Sequence, residues 1–412
     1  MRAGTLAPVL GVCLAGCGFS SSVLPDSPSD ATGATPSPDA RGMGSSPGDA
    51  AIDAAVDAAT DAAIDAGHAQ PSALCLGSFL GICVAPPTAV ITLTAPLNTS
   101  TSSLCVAHTP APGAPAIDAC VIAGTSIVIP GGQTVTVTGS RPLILLSAGS
   151  VTLSGVLDVA SHRGAAIGPA ADAAQCSTNV VDPSAGVNHD GGGGWGGSFG
   201  AAGNNGGNAG LDGRGGVAAP ATSATTLRGG CPGGAGAGSS GAGGAPGHGG
   251  GAVLVIAHDV LTIDGAVNAS GAAGSGGQNS GGGGGGGSGG MIVLDAATVN
   301  VPGKCYANAS GGGEGGDINK AGGDGAESTA PTTGGGGGKG TGGGGDGGAG
   351  GFGGTPGGSG GGNGTVHFTS PNTVNTLGGG GGGGGGVGVI EVFAGETDNT
   401  DNLNNVAPRP SN

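Results

Sequence analysis

Charge and aromatic rings are scarce in this chain. Only 9% of its 412 residues are charged and 2% are aromatic, with one Trp and one Tyr. The 10 Lys and Arg residues cannot form the basic stripe that phosphate contacts need, and so few rings cannot stack single-stranded bases. Nucleic acid is therefore excluded as a partner. Acids outnumber bases, giving a formal net charge of −16, which favours solubility and repulsion from anionic surfaces. After the first residues, no apolar run reaches the length of a membrane span. What the chain has in quantity is glycine, 104 residues of it, together with 26 prolines. Glycine loses the most backbone freedom on ordering and offers no side chain to a core. A folded core must therefore come from a few β-rich islands.

The chain opens MRAGTLAPVLGVCLAGCGFSSS. Arg2 supplies a positive start, and Thr5 to Ala15 form an apolar stretch too short to cross a bilayer. Leu14, Ala15, Gly16 and Cys17 then read as a lipobox, with cleavage after residue 16 and lipid attached to the Cys17 thiol. Burying each acyl CH₂ is worth about 0.8 kcal/mol, so several chains make a lasting anchor. The expected partner is thus a membrane, reached through lipid. The alternative is an ordinary secretory signal with a chance cysteine. Gly18 in place of Asp favours the outer membrane over the inner one. Residues 17–72 follow as a disordered tether rich in Asp, Ala, Ser and Pro. Within it Asp49, Asp53, Asp57, Asp61 and Asp65 recur every fourth residue, and like charges at that spacing oppose a helix.

From Cys75 the texture becomes β-branched and alternating. Residues 88–94 read TAVITLT, 125–130 TSIVIP and 133–138 QTVTVT, separated by glycine turns. A cassette then recurs at Leu143 to Ser161, at Val253 to Gly271 and from Met291, with a shorter echo at Val387 to Phe393. Matching Gly155, Gly265 and Gly303 places Leu143, Val253 and Met291 together. The same alignment groups Val151 with Leu261 and Val299, and Leu153 with Ile263 and Val301. Each unit reads as strand, short turn, strand, glycine turn, strand. One unit cannot bury its own apolar face, but stacked copies can. The expected fold class is all-β: a parallel β-solenoid with long glycine-rich insertions, the alternative being a β-sandwich. The expected organisation is a signal peptide over 1–16, the tether over 17–72 and a β-rich domain over 73–165. A glycine-rich insertion over 166–251, further cassettes over 252–396 and a disordered tail over 397–412 complete it.

The glycine tracts lack strict Gly-X-Y periodicity, so collagen is excluded. Two behaviours remain open for them: projecting loops, or polyproline-II-like threads packed side by side through backbone bonds. A mixture is expected, ordered near the cassettes and mobile at the tips. Such tracts match short motifs by accident. The GGGGGKG around Lys339 lacks the Ser or Thr of a phosphate-binding loop. Gly322 to Glu327 faintly resembles a calcium-binding nonapeptide, with Glu in place of Asp.

Export permits disulfides. Once Cys13 is removed with the signal and Cys17 carries lipid, sequential pairing joins Cys75 to Cys83, Cys105 to Cys120 and Cys176 to Cys231. Six cysteines allow fifteen pairings, and sequential order is the simplest. Cys305 aligns with Leu157 and Val267 and is read as a buried apolar residue. No cysteine or histidine spacing suggests zinc, and no metal or cofactor is expected. Asn188-His189-Asp190 before Trp195, His258-Asp259 in a turn, and His162-Arg163 after a strand are read as polar loop residues. Asp158 aligns with Asn268 and Tyr306, and Asp264 with Ser154, so no paired carboxylates recur for glycoside chemistry. No catalytic residue is assigned, and the chain is read as a non-enzyme.

The LAGC at 14–17, the DAAxDAAx tether and cassettes such as VLTIDGAVNASGAAG resemble those of glycine-rich surface lipoproteins of the myxobacterial type. The cassettes also resemble rungs of adhesin-like β-helices. The resemblance implies a structural or adhesive protein at the outer membrane or cell surface, with surface glycan or matrix as its partner. It supplies no catalytic residues. The alternatives are a carbohydrate-active β-helix enzyme and a calcium-dependent binding module.

Overall fold

The structure, a computed structural model, describes residues 73–410 except 177–178, 187–189, 211, 239–241, 341, 354, 356, 371–372 and 399–404. The signal, Cys17 and the tether lie outside the described residues. Those described belong to one unit, Ala69–Asn412. They form β-strands, turns and extended threads, with no helix among them.

The strands fall into successive tiers. β1 (Leu74–Leu76) and β2 (Ile82–Val84) precede a short first tier, β3 (Ile91–Thr92) and β4 (Leu97–Asn98). After β5 (His108–Pro110) comes a tier of β6 (Cys120–Gly124), β7 (Ile127–Ile129) and β8 (Thr134–Thr138). The next comprises β9 (Leu143–Ser147), β10 (Val151–Leu153) and β11 (Val156–Asp158). Then follow β12 (Ala252–Ile263) with β13 (Ala266–Asn268), and β14 (Met291–Asn300) with β15 (Lys304–Tyr306). The hairpin β16 (Val366–Ser370) and β17 (Thr373–Leu377) precedes the last tier, β18 (Val389–Asp398) and β19 (Val406–Ala407).

Each tier pairs in parallel with the next. One sheet runs β18-β14-β12-β10-β7-β3, with β9 and β6 extending the same ladder, and a second runs β19-β15-β13-β11-β8-β4. Register follows the repeat closely. Val151 faces Leu261, Leu153 faces Ile263, and Leu157, Val267 and Cys305 stand in one row. Parallel pairing at one position per tier lets identical apolar side chains stack without changing face.

The structure departs from the sequence pattern in the cassettes at two points. In the second and third cassettes the first two strands are continuous, so no turn interrupts them. Met291 pairs with Ala252, one place short of Val253, because β12 carries an extra residue between Ala257 and Val260. That bulge is His258-Asp259, which glycine alignment alone could not reveal. The tail departs from the expectation too. Val406 and Ala407 pair with Cys305 and Tyr306 and are fully buried, so ordered structure continues past residue 397.

The core sits between the two sheets. Leu143, Leu145, Val151, Leu153, Leu157, Val253, Val267, Ile292 and Cys305 share one buried cluster. Ile144, Leu146, Leu254 and Ile256 point the other way, into a second cluster with Ile82, Val84, Phe199 and Leu227. The first sheet is thus covered on both faces, which explains the unbroken apolar run LILLS in β9.

The glycine tracts pack side by side. Their hydrogen bonds repeat every three residues. In the segment 281–290, Gly282, Gly285 and Ser288 donate to Ala237, Gly234 and Cys231. Gly283, Gly286 and Gly289 donate to Gly380, Gly383 and Gly386, while Gly284, Gly287 and Gly290 donate to Ser275, Ala272 and Ala269. Its carbonyls accept in the same rotation: Gly194 donates to Gly283, Gly313 to Gly284 and Gly247 to Gly285. A period of three with no internal bonds is the geometry of a polyproline-II thread. The thread has six neighbours, three taking its N–H groups and three giving to its carbonyls. Segments 307–316 and 378–388 are bonded to it and to further threads in the same way.

At most central positions only glycine permits this spacing. A Cβ on Gly285 would fall inside the carbonyl of Trp195, and one on Gly283 inside that of Gly313. On the outermost threads every third residue faces solvent: Asn205 and Asn208, Arg214, Val217 and Pro220, Ala242 and Ala245, Asp346 and Ala349. Most outward positions carry side chains, whereas most inward ones are glycine. At Gly336 the nearest atom to an added Cβ is 4.0 Å away. Gly285→Ala is therefore expected to lower stability at or beyond the upper end of the about 1–3 kcal/mol typical of overpacking, while Gly336→Ala leaves it unchanged. Thermal melts of the two variants check this.

Candidate functional site

The parallel register brings together an aligned polar row singled out in the sequence. Asp158, Asn268 and Tyr306 occupy the same place in β11, β13 and β15. Asn268 Nδ2 donates to Asp158 Oδ1 at 3.1 Å. The chain beyond β11 turns back so that His162 Nε2 meets Asp158 Oδ2 at 3.0 Å. Its other nitrogen, Nδ1, meets Glu327 Oε2 at 2.7 Å. The Arg163 N–H donates to Glu327 Oε1 at 2.5 Å, and its guanidinium pairs with Asp324.

The electrostatics follow from this geometry. Hydrogen bonds to Asp158 and then Glu327 outweigh burial and push His162 up to about 10. Burial alone would raise Glu327, but His162 and the Arg163 N–H hold it below the ordinary carboxylate range. Burial, with the charge on Asp158, pushes the Tyr306 phenol up to about 12. An imidazolium held by carboxylates on both nitrogens has no free nitrogen with which to accept or deliver a proton. The cluster is a clamp: it fastens the turn after β11 to the loop at 324–327. The same contacts engage both carboxylates of the calcium-like stretch 322–327.

A second clamp joins His248 Nδ1 to Asp172 Oδ2 at 2.5 Å, with the Gly249 N–H donating to Asp172 Oδ1 at 2.9 Å. The hydrogen bond to Asp172 raises His248 above its ordinary value despite partial burial. His258 and Asp259 form an exposed pair, Nδ1 to Oδ1 at 2.7 Å, on the bulge of β12. Beside them lies a groove of ≈ 560 Å³ across β12, β14 and β18, lined in part by Leu76, His258, Asp295, Ala297, Phe393 and Gly395. Asp295 forms its wall. Its carboxylate accepts from the Ser78 N–H, from the Phe79 N–H at 3.2 Å and from Ser78 Oγ at 3.3 Å. Phe79 and Phe393 meet with ring centroids 5.8 Å apart. Sequence reading missed Asp295; the signal was an acid inside an otherwise apolar strand.

The remaining candidates are placed as follows. Disulfides join Cys75 to Cys83, Cys105 to Cys120 and Cys176 to Cys231. Cys305 is a free thiol in the core, pushed up to about 12 by burial. Asp264 Oδ2 accepts from Ser154 Oγ at 3.2 Å in the aligned tier. Lys339 is exposed at the edge of the threads. Leu14, Ala15, Gly16, Cys17, Asn188 and His189 lie outside the described residues. Among the described residues no three or more His, Cys, Asp or Glu side chains are grouped to hold a metal ion. No described helix is long and apolar enough to cross a membrane. No family model, curated protein or solved structure matches the chain.

The His162 clamp has a pH signature. Because its folded pKa is raised, its stabilisation is full below about 6.5 and is lost as pH rises through about 10. Denaturant midpoints of the protein should therefore fall between pH 6 and pH 10 by more than those of His162→Gln. Equal falls would show that the clamp contributes nothing.

Proposed function

We propose that this chain is a lipid-anchored, extracytoplasmic structural or adhesive protein, held to a membrane through Cys17 and displayed on the cell surface. In this reading the tiers form a parallel β-solenoid, and the glycine threads inserted between tiers are its second layer. One observation carries it: backbone pairing runs uninterrupted from the β-tiers into the threads. Asn268 faces Tyr306, and past it Gly271 bonds to Asn308, Gly274 to Gly311 and Gly277 to Glu314. A block bonded continuously in two layers is stiff and presents a broad surface on which side chains stand at every third thread position. That suits contact with glycan or matrix over an area more than chemistry at a point.

A carbohydrate-active enzyme is the second reading. What favours it is the groove with His258, Asp295 and Phe393 along one side, an open trough across successive tiers.

Labelling cells with a clickable fatty acid tests the anchor. The protein should be labelled, and Cys17→Ser should abolish the label and release the chain from the membrane fraction. Deletion of the protein should reduce cell–surface and cell–cell attachment at least severalfold. Unchanged attachment would sink the adhesive reading. Turnover of a polysaccharide panel that is lost in Asp295→Asn would install the enzyme reading instead.

A further inference from the structure

Among the described residues, one cation is buried without an anion. Arg228 is 6% exposed. Its guanidinium lies 4.2 Å from the centre of the Phe199 ring, and Nη2 donates to Thr222 Oγ1 at 2.7 Å. No carboxylate pairs with it among the described residues. On its other nitrogen the neighbours are sulfurs: Nη1 lies 3.6 Å from Cys231 Sγ and 3.9 Å from Cys176 Sγ. A guanidinium stays protonated in proteins, and a buried charge without a counter-ion is costly. The missing anion is one that the neighbouring disulfide would itself supply on opening, a thiolate.

We propose that Cys176–Cys231 is a thiol–disulfide exchange site, attacked at Cys176 by a thiol-bearing molecule, with Arg228 receiving the Cys231 thiolate. The accessibilities fit the roles. Cys176 is half-buried while Cys231 is 4% exposed. A small cavity of ≈ 80 Å³, lined by both cysteines together with Val180, Trp195, Ser198 and Pro232, opens beside the bond. The incoming thiolate forms a bond to Cys176 Sγ, the Cys176–Cys231 bond breaks, and its electron pair goes to Cys231 Sγ. The products are a mixed disulfide on Cys176 and a Cys231 thiolate beside Arg228. Exchange is faster when the departing thiolate is stabilised, and a neighbouring cation does this. The reaction reverses when Cys231 attacks the mixed disulfide and expels the guest.

The other disulfides provide an internal control. Neither has an Arg or Lys nitrogen within hydrogen-bonding reach of its sulfurs among the described residues. Cys75 is exposed, so accessibility alone would make Cys75–Cys83 the first to open. The cation predicts the opposite order.

The test exposes the folded, oxidised full chain to graded reduced glutathione, quenches with an alkylating agent and maps each cysteine by peptide mass spectrometry. Emission from Trp195, which lines the same cavity, is followed in parallel as a report on the surroundings of the bond. The expected result is glutathione on Cys176 and alkylation of Cys231 before either other bond opens, with emission changing at the same rate. Arg228→Met should slow that opening about tenfold, whereas Arg228→Lys should stay within about threefold of the parent. Opening of Cys75–Cys83 first, or parental rates in Arg228→Met, would overturn the proposal. The order of opening in the parent chain is read without any variant, so a poorly folded Arg228→Met leaves the test intact.

Discussion

Everything in the second layer depends on backbone reaching backbone without a Cβ between them. Glycine pays for that closeness with the largest loss of chain freedom of any residue. The return is that N–H and C=O groups in the central threads find partners on adjoining threads, as buried main-chain groups require. Because each thread turns once in three residues, its bonds are dealt out to three directions as donors and three as acceptors. No thread is then an edge until the outermost row. The order that glycine usually undermines is here built from glycine, since the neighbours hold what the side chains do not.

The β-tiers set the phase of that packing. Successive threads leave and re-enter tiers already in register, so the ladder position of Asn268 and Tyr306 fixes which glycine meets which a dozen residues later. The period changes from two in the strands to three in the threads, but the pairing does not break. Polar clamps add fixed points between the layers. His162 ties the end of β11 to residue 327, 165 positions away in the chain, and Asp172 ties to His248 across a glycine-rich insertion.

Much of the architecture was legible because the cassette repeats. Aligning turn glycines placed Leu157, Val267 and Cys305 in one row and Asp158, Asn268 and Tyr306 in the next, as the parallel register has them. The alignment erred at Met291, because a bulge inserts a residue without changing the glycines that flank it. The threads were only half legible. Glycine content permits both a flexible loop and a packed thread, and what separates them is the supply of neighbours at the right distance, a property of the assembled fold. The clamps were invisible for the same reason: Asp158, His162 and Glu327 meet only because two layers are joined. Disulfide pairing followed chain order.

The outward rows of Asn205, Asn208, Ala242, Ala245 and Asp346 have a consequence for the molecule among its copies. Packed polyglycine has no natural boundary. Any chain of the same kind can join its surface, and growth continues as it does for a crystal face in a saturated solution. A methyl or amide at every third position acts as a growth poison, standing where the next thread would have to dock. On these faces the limit to accretion is written in a pattern as short as three residues.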